Sequence, residues 1–214
     1  MSVKRWHEIN HSMKNGMAWL NSRMLVDSLF YKTVGILGFG QIAKKLIGLL
    51  KPFDVNIIVA DDYVTQSAAD ELGFTIASVD DVCKSCDIIS IHHTLNEATK
   101  KLLNKERIDM LKPTAIIVNT ARGKIIDQQA LINRLKKGEL FAALDVYEKE
   151  PLEPDSQLRS LENTILIPHM GGKTTECRKQ LANVVISQLE RMASGQELTD
   201  YVTKDIFNRM TKKG

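Results

Sequence analysis

Cysteine is scarce in this sequence, with three residues in 214. An odd number cannot pair completely, which argues against a disulfide framework. Cys83 and Cys86 form a C-x-x-C, but no second cysteine pair or histidine pair at metal-ligand spacing accompanies them. We interpret both as small, partly buried side chains of a helix that runs into a strand. Free thiols fit a reducing compartment, and we expect a cytoplasmic protein without a metal site.

Long apolar runs and an excess of one charge are also absent. No stretch approaches the roughly 18 apolar residues that a membrane span requires, and the N-terminus lacks the apolar core of a secretory leader. The 29 lysines and arginines nearly balance the 26 acidic residues and are scattered along the chain. A net charge of +3 is too small to indicate a nucleic-acid partner. We therefore expect neither a membrane nor a nucleic acid as partner.

What the sequence does contain, from Thr33 onwards, is an alternation of short apolar strands with helices. Such a pattern predicts a parallel sheet covered on both faces. Right-handed crossovers then give an α/β fold with a doubly wound, mostly parallel sheet that binds ligands at the carboxyl ends of its strands. Strands are predicted at 33–37, 56–60, 74–76, 87–92, 115–119, 141–145 and 165–168. Helices are predicted at 41–51, 65–72, 79–85, 105–111, 128–137 and 174–194.

The N-terminal part does not follow this alternation. An apolar stripe at three- and four-residue spacing predicts an amphipathic helix that must pack against something, formed by Trp6, Ile9, Met13 and Met17. We divide the chain into three parts: an N-terminal helix and linker over 1–31, a main domain over 32–195, and a C-terminal tail over 196–214.

The most informative motif is the turn Gly38-Phe39-Gly40-Gln41-Ile42-Ala43, between the first predicted strand and its helix. Gly38 allows a tight turn, and Gly40 lets a pyrophosphate approach the backbone where the helix presents free N–H groups. The next strand ends about twenty residues on at Asp61, whose carboxylate can accept both hydroxyls of an adenosine ribose. A glycine turn in an ordinary βαβ unit would explain the glycines but not the acid. The motif therefore predicts a dinucleotide-binding fold of the Rossmann type.

The same residues indicate which dinucleotide binds. Asp62 adds a second negative charge beside Asp61, and no arginine stands next to it to meet a 2′-phosphate. Ala43 replaces the third glycine, a position that serves close packing of the helix on the sheet and tolerates alanine. The predicted cofactor is NAD.

Four polar residues follow three predicted strands at the edge where this topology places a site. Arg122 comes after 115–121, Asp145 and Glu150 come at and after the end of 141–145, and His169 follows 165–168. An arginine can hold a carboxylate bidentately, and a histidine can exchange a proton near neutrality. A glutamate bonded to that histidine orients it and favours its protonated form. Together they suit the reduction of a 2-oxo acid.

Taken singly, each of these residues has an ordinary structural explanation. An arginine at a strand end is usually a solvated charge or half of an ion pair, and a histidine after a proline is usually structural. The hypothesis depends on all of them falling at the carboxyl ends of one cofactor-binding sheet.

From about Trp19 to Gly195 the chain resembles the nucleotide-binding domain of the D-isomer-specific 2-hydroxyacid dehydrogenases, which include phosphoglycerate, glycerate and hydroxypyruvate-type enzymes. The segments that carry the resemblance are 32–43, 118–123 with Asp127, 142–152 and 168–172. Several separate motifs in one order make the match specific.

The resemblance implies a role for each site residue. Arg122 would bind and polarise a 2-hydroxy or 2-oxo acid, His169 would be the acid/base, and Glu150 its partner. Asp145 would hold the nicotinamide carboxamide. The remaining implied cofactor contacts are Gly38, Gly40, Gln41, Ile42, Asp61, His92, Thr94, Thr120, Ala121, Arg122, His169 and Gly171. It also implies an N-terminal helix that links domains, and a homodimer formed through the nucleotide-binding domains.

Two departures from the family pattern matter. Thr94 stands where a proline is usual in the loop after the fourth strand, so the shape of that loop is open. His92 and His93 could be interpreted as metal ligands. However, neighbouring residues in a strand point to opposite faces, and no third ligand is apparent in the sequence. The second departure is that the family's substrate domain, on the order of 100 residues, is not expected in this chain.

A second function stays open beside the enzyme. Without a substrate domain the cleft would be open to water, which weakens charge interactions at the site. The alternative is a catalytically weak or inactive NAD-binding module that acts through dimerisation or partner binding.

Overall fold

The structure, a computed structural model, describes residues 6–16, 27–199 and 201–209. Strands and helices alternate through most of this part of the chain. The strands are β1 (Thr33–Leu37), β2 (Asn56–Ala60), β3 (Thr75–Ile76), β4 (Ile88–Ile91), β5 (Ile116–Asn119), β6 (Phe141–Leu144) and β7 (Thr164–Leu166). The helices are α1 (Trp6–Lys14), α2 (Gln41–Leu50), α3 (Gln66–Leu72), α4 (Val79–Ser85), α5 (Lys105–Asp109), α6 (Gln128–Leu135), α7 (Thr175–Ala193) and α8 (Lys204–Arg209).

The predicted strands and helices are all present, with ends that differ by at most two residues. The predicted start of the last long helix is confirmed by its cap, because the Thr174 hydroxyl accepts the N–H of Cys177 at 3.0 Å. The N-terminal amphipathic helix is present as α1, although its predicted continuation to Met17 lies outside the described residues. Within the part of the chain that is described, no helix is long and apolar enough to cross a membrane.

The seven strands form one parallel sheet in the order β3-β2-β1-β4-β5-β6-β7. The chain winds outward in one direction from β1 to β3, then returns to the other side of β1 and continues to β7. Leu37, the last residue of β1, pairs with Ala60 on one side and Ile91 on the other. Because all strands are parallel, their carboxyl ends meet at one edge, and the order reverses between β1 and β4. Ligands of doubly wound sheets bind at such a reversal.

Apolar clusters cover the two faces of the sheet. Ile36 of β1 packs in a cluster with α2 and α3, whereas its neighbour Leu37 packs in the cluster formed with α4, α5 and α6. This alternation is the two-residue period of a strand that is buried on both faces. The double winding predicted from the sequence is therefore present. Cys83 and Cys86 lie in the second cluster and are fully buried.

The helix after the glycine turn, α2, buries one of two neighbouring apolar stripes. Ala43, Ile47 and Leu50 face the sheet. Ile42 is 70% exposed, and Leu49 is exposed to the same degree. The helical period permits either stripe, and close packing of the helix on the sheet selects the one that carries the small Ala43.

The sheet is less well covered at its β7 edge. The residues of β7 are only half-buried, and none of the residues of α7, all of which are described, is buried. Leu181, Val185 and Leu189 are among the exposed apolar side chains of α7. Beyond this helix, the tail forms α8, which the sequence pattern did not predict.

Candidate active site

The glycine turn after β1 has a backbone that only glycine adopts without strain. Gly38 has a φ of +99°, and a Cβ at this position would lie 2.5 Å from the backbone nitrogen of His93. The Gly38 N–H donates to the carbonyl of Ala60 at 3.0 Å, which ties the turn to the end of β2. The turn therefore brings the ends of β1, β2 and β4 into contact.

Gly40 opens the start of α2 towards solvent. No atom lies within 4 Å of a Cβ built on Gly40, and no side chain caps the helix there. The first N–H groups of a helix lack partners within it and attract anions. The first turn of α2 also carries no acidic residue that would repel one. This backbone fits the pyrophosphate of a dinucleotide.

Asp61, the residue after β2, is fixed in place by two hydrogen bonds from the backbone. One carboxylate oxygen accepts the N–H of Phe39 at 2.8 Å, and the other accepts the N–H of Tyr63 at 2.7 Å. His93 Nδ1 lies 3.9 Å from the carboxylate. A carboxylate has about four acceptor positions, so the two backbone bonds orient Asp61 and leave capacity for ribose hydroxyls.

A cleft of about 430 Å³ joins these elements. It includes six of the predicted cofactor contacts: Gly38, Gly40, Gln41, Asp61, His92 and Thr94. Ile42 does not line it, because its side chain points to solvent. Burial lowers the pKa of His92 and of His93, which favours the neutral form of both imidazoles. His92 Nε2 lies 2.9 Å from the hydroxyl oxygen of Ser90.

The loop with Thr94 in place of proline is fixed by hydrogen bonds. The hydroxyl of Thr99 donates to the carbonyl oxygen of Thr94 at 2.6 Å and accepts the N–H of Asn96 at 2.9 Å. The Asn96 side chain in turn accepts the N–H of Thr99 at 3.0 Å. The sequence left the shape of this loop open, and these bonds give it a defined one.

Asn119, the last residue of β5, positions the segment that carries Arg122. Its buried side chain accepts the N–H of Ala121 and donates to the carbonyl of Arg122, both at 3.0 Å. Thr120, between them, is exposed at the same edge. The Arg122 guanidinium reaches into solvent and donates to the Ala121 carbonyl at 2.6 Å. Sequence reasoning missed this role of Asn119, although an asparagine that ends an apolar strand was a usable signal.

Tyr147 joins the ends of two strands behind the site. Its hydroxyl donates to the carbonyl of Ile167 at 2.9 Å and lies 3.1 Å from that of Leu144. Burial raises the pKa of Tyr147, which keeps the hydroxyl protonated as a donor. This residue was not predicted either. The buried Gly123 packs directly against the Tyr147 backbone.

Alanine at position 123 is expected to destabilise the fold, because its Cβ would overlap the carbonyl group of Tyr147. We expect Gly123→Ala to lower the free energy of unfolding by roughly 1–3 kcal/mol in denaturant titrations. Gly48→Ala is the matched control, since no atom lies within 4 Å of a Cβ there and the residue is helical. That variant should be at least as stable as the wild type. Equal stability of the two variants would contradict the close approach at Gly123.

Asp145, just after β6, holds the loop that carries His169. Its nearly buried carboxylate accepts the N–H of Met170 at 2.6 Å and that of Gly171 at 2.9 Å. A Cβ on Gly171 would come within 2.9 Å of the same carboxylate. The resemblance implied that Asp145 contacts the nicotinamide carboxamide. The structure adds a second role, because the same carboxylate holds the loop that carries His169.

His169 and Glu150 form a pair at the ends of β7 and β6. His169 Nδ1 lies 2.7 Å from Glu150 Oε2, while Glu150 Oε1 accepts the N–H of Tyr147 at 3.0 Å. Burial opposes ionisation of Glu150, but these hydrogen bonds and the positive charge of Arg122 outweigh it and lower the pKa of Glu150. The glutamate therefore remains a carboxylate beside the imidazole.

The backbone of His169 is unusual as well. Its φ of +52° lies in the left-handed region, which few non-glycine residues adopt and which often marks functional sites. The His169 side chain is 42% exposed and that of Glu150 36%, so the pair faces solvent. Arg122, Glu150 and His169 thus follow β5, β6 and β7 at the edge that also carries the glycine turn. The His169–Glu150 pair, the Arg122 guanidinium and the predicted nucleotide cleft therefore share one edge of the sheet.

Comparisons with known proteins support the predicted fold and the predicted cofactor. A family model described as "D-isomer specific 2-hydroxyacid dehydrogenase, NAD binding domain" matches residues 1–171. The D-3-phosphoglycerate dehydrogenase of Methanocaldococcus jannaschii is 36% identical over 187 residues, which are 86% of this chain and 35% of that protein. The glyoxylate reductase of Pyrococcus furiosus is 36% identical over 195 residues, 91% of this chain and 58% of that one.

Solved structures also match most of this chain over only part of their own length. The crystal structure of a glyoxylate reductase from Paecilomyes thermophila has a TM-score of 0.81 at 28% identity, and the match covers 95% of this chain and 62% of that one. The chain thus spans less than two thirds of the length of each of these relatives. The fold, the order of the motifs and the family match agree: this chain belongs to the D-isomer-specific 2-hydroxyacid dehydrogenases and carries their NAD-binding domain.

Proposed function

We propose that this chain serves an NAD-dependent oxidoreductase that interconverts a 2-hydroxy acid and a 2-oxo acid, and that it supplies both the cofactor site and the catalytic side chains. The observation that carries the proposal is the His169–Glu150 pair, at 2.7 Å, on the same sheet edge as the glycine turn. In this proposal residues 32–195 form the NAD-binding unit, flanked by a linking segment and a tail.

Arg122, His169 and Glu150 have different roles in this reaction. NAD supplies or accepts the hydride when it is bound. Arg122 holds the substrate carboxylate through its planar guanidinium and polarises the carbonyl. His169 donates a proton to the carbonyl oxygen during reduction and removes it during oxidation. Glu150 fixes the imidazole through Nδ1, leaves Nε2 for the substrate, and stabilises the imidazolium.

The cofactor contacts divide between two halves of the edge. Gly38, Gly40, Gln41 and the main chain at Ile42 would hold the pyrophosphate, with Asp61, His92 and Thr94 around the adenosine half. The nicotinamide half would lie against the ends of β5, β6 and β7. Its proposed contacts are Thr120, Ala121, Arg122, Asp145, His169 and Gly171.

We further propose a homodimer in a reducing, cytoplasmic setting. An exposed aromatic cluster supports the dimer: the Phe30 ring lies 6.2 Å from that of Tyr31 and 5.6 Å from that of Phe53. A patch of this kind is typical of a contact surface. The three free cysteines support the reducing compartment. Sedimentation with and without NADH measures the assembly.

A second candidate function is an NAD-binding module that turns over poorly or not at all. The observation that favours it is the exposure of His169 and Glu150 to solvent. Water around a catalytic pair weakens its electrostatic interactions several-fold. In that case binding of the cofactor would regulate dimerisation or partner binding instead of supporting catalysis.

One experiment separates the two functions. NADH is titrated by fluorescence, and glyoxylate, hydroxypyruvate and pyruvate are then added to the same sample while NADH absorbance is followed. Binding followed by oxidation supports the enzyme, and binding without oxidation supports the module. Absence of NADH binding would refute both.

A further inference from the structure

The C-terminal tail folds back along α7 after the helix ends. Arg191 Nε donates to the carbonyl of Glu197 at 2.7 Å. The side chain of Gln188 then bonds Thr199 twice, accepting its N–H at 3.0 Å and donating to its hydroxyl at 3.1 Å. These bonds reverse the direction of the chain.

The reversed chain leads to α8, and α8 reaches the nucleotide cleft. The hydroxyl of Thr203 accepts the N–H of Ile206 at 3.2 Å at the start of this helix. Ile206 is one of the residues that line the cleft of Gly38 and Asp61. Phe207, the next residue in α8, does not line it.

Ile206 adds aliphatic surface to a cleft whose other large apolar groups are the rings of Phe39 and Tyr63. The other described lining residues are mostly glycine, charged or polar, and among them Ile206 is the only aliphatic side chain larger than alanine. The Phe39 ring already contacts other side chains. Its centroid lies 5.2 Å from that of the Phe74 ring and 5.1 Å from the Lys44 ammonium. Ile206 is 44% exposed, so it presents an apolar surface that a ligand can cover.

An adenine ring needs such a surface. Its faces are apolar, and pockets for small molecules combine apolar walls with a few polar groups that fix orientation. Asp61, on the same cleft, provides the polar group for the attached ribose. We propose that Ile206 packs on the adenosine half of NAD, so that the C-terminal helix α8 completes the cofactor site. This inference rests on the proposed cofactor site and assigns a binding role to the tail.

The test measures binding and needs no turnover. Dissociation constants for NADH are obtained by fluorescence, and those for ADP-ribose, which has the adenosine half but no nicotinamide, by competition. Ile206→Ser should weaken both ligands by the same factor, on the order of tenfold, because burying part of an isoleucine contributes about that much. Ile206→Val should restore most of the loss. Phe207→Ser is the matched control on the same helix and should bind as the wild type does.

A chain that ends at Thr199 gives a second measurement that does not depend on the folding of α8. It should show the same loss for both ligands as Ile206→Ser. Unchanged affinity in both altered chains would overturn the inference. Tighter binding after truncation would also overturn it, because it would show that α8 blocks the cofactor cleft. A loss for NADH without one for ADP-ribose would also overturn it. Failure of the wild type to bind NADH would instead refute the proposed function.

Discussion

His169→Asn is expected to lower kcat for reduction of a 2-oxo acid by about 10²- to 10⁴-fold, with a much smaller rise in the dissociation constant of NADH, to which His169 contributes one of many proposed contacts. The imidazole is the proton donor in the proposed reaction, and asparagine cannot replace it. Asparagine is the substitution of choice because position 169 has a φ of +52°, which asparagine tolerates better than most residues. The loop geometry, and with it the contacts of Asp145, should therefore persist.

The readout is steady-state turnover with the 2-oxo acid that the wild type reduces fastest, alongside an NADH titration. His11→Asn serves as the control, because His11 lies in α1 and outside the site. It should retain the wild-type rate. A rate in His169→Asn within a few-fold of the wild type would assign the proton transfer to another group. A loss of NADH affinity as large as the loss of rate would instead show that His169 acts mainly as a cofactor contact.

Arg122→Ala is expected to lower kcat/KM by a similar factor, through loss of the substrate carboxylate. Each hydrogen bond to a charged group contributes about 1.5–3 kcal/mol. Two such bonds from one guanidinium therefore correspond to on the order of 10²- to 10⁴-fold in kcat/KM. Arg122→Lys should recover only part of the loss, since lysine keeps the charge but cannot bind both carboxylate oxygens in the planar geometry.

Lys124→Ala is the matched control for charge. Lys124 is exposed in the turn Gly123–Ile125, two residues beyond Arg122. Removing its charge should leave kcat/KM close to the wild-type value. If Arg122→Lys equals the wild type, or if Lys124→Ala loses as much as Arg122→Ala, then general electrostatic attraction would account for the effect in place of a specific carboxylate contact.

Much of the fold could be predicted because its signals are local. Strand ends and helix starts follow from apolar runs, glycines and caps such as Thr174, and the predicted ends lie within two residues of the observed ones. The position of Arg122, Glu150 and His169 on one edge then follows from parallel topology alone. The contact between Glu150 and His169 was implied by the family resemblance and is present at 2.7 Å.

The remaining features depend on contacts between distant segments. Asp145 bonds residues 25 and 26 positions further along the chain, and the Tyr147 hydroxyl bonds a carbonyl 20 positions away. No local pattern encodes such partners. Ile42 shows another limit, because two neighbouring apolar stripes on α2 satisfy the same helical period and only packing chooses between them. The role that we propose for the tail likewise depends on the position of α8 beside the cleft, which no local sequence pattern predicts.

The unequal burial of the three thiols has a practical consequence. Cys83 and Cys86 are enclosed in the core, where burial raises the pKa of Cys83 to about 12, while Cys177 is exposed on the first turn of α7. A maleimide dye added to the unaltered chain under native conditions should therefore attach at a single place, eight residues after His169. The fluorescence of such a dye would report the binding of any molecule to the exposed surface of α7, and no cysteine would have to be introduced.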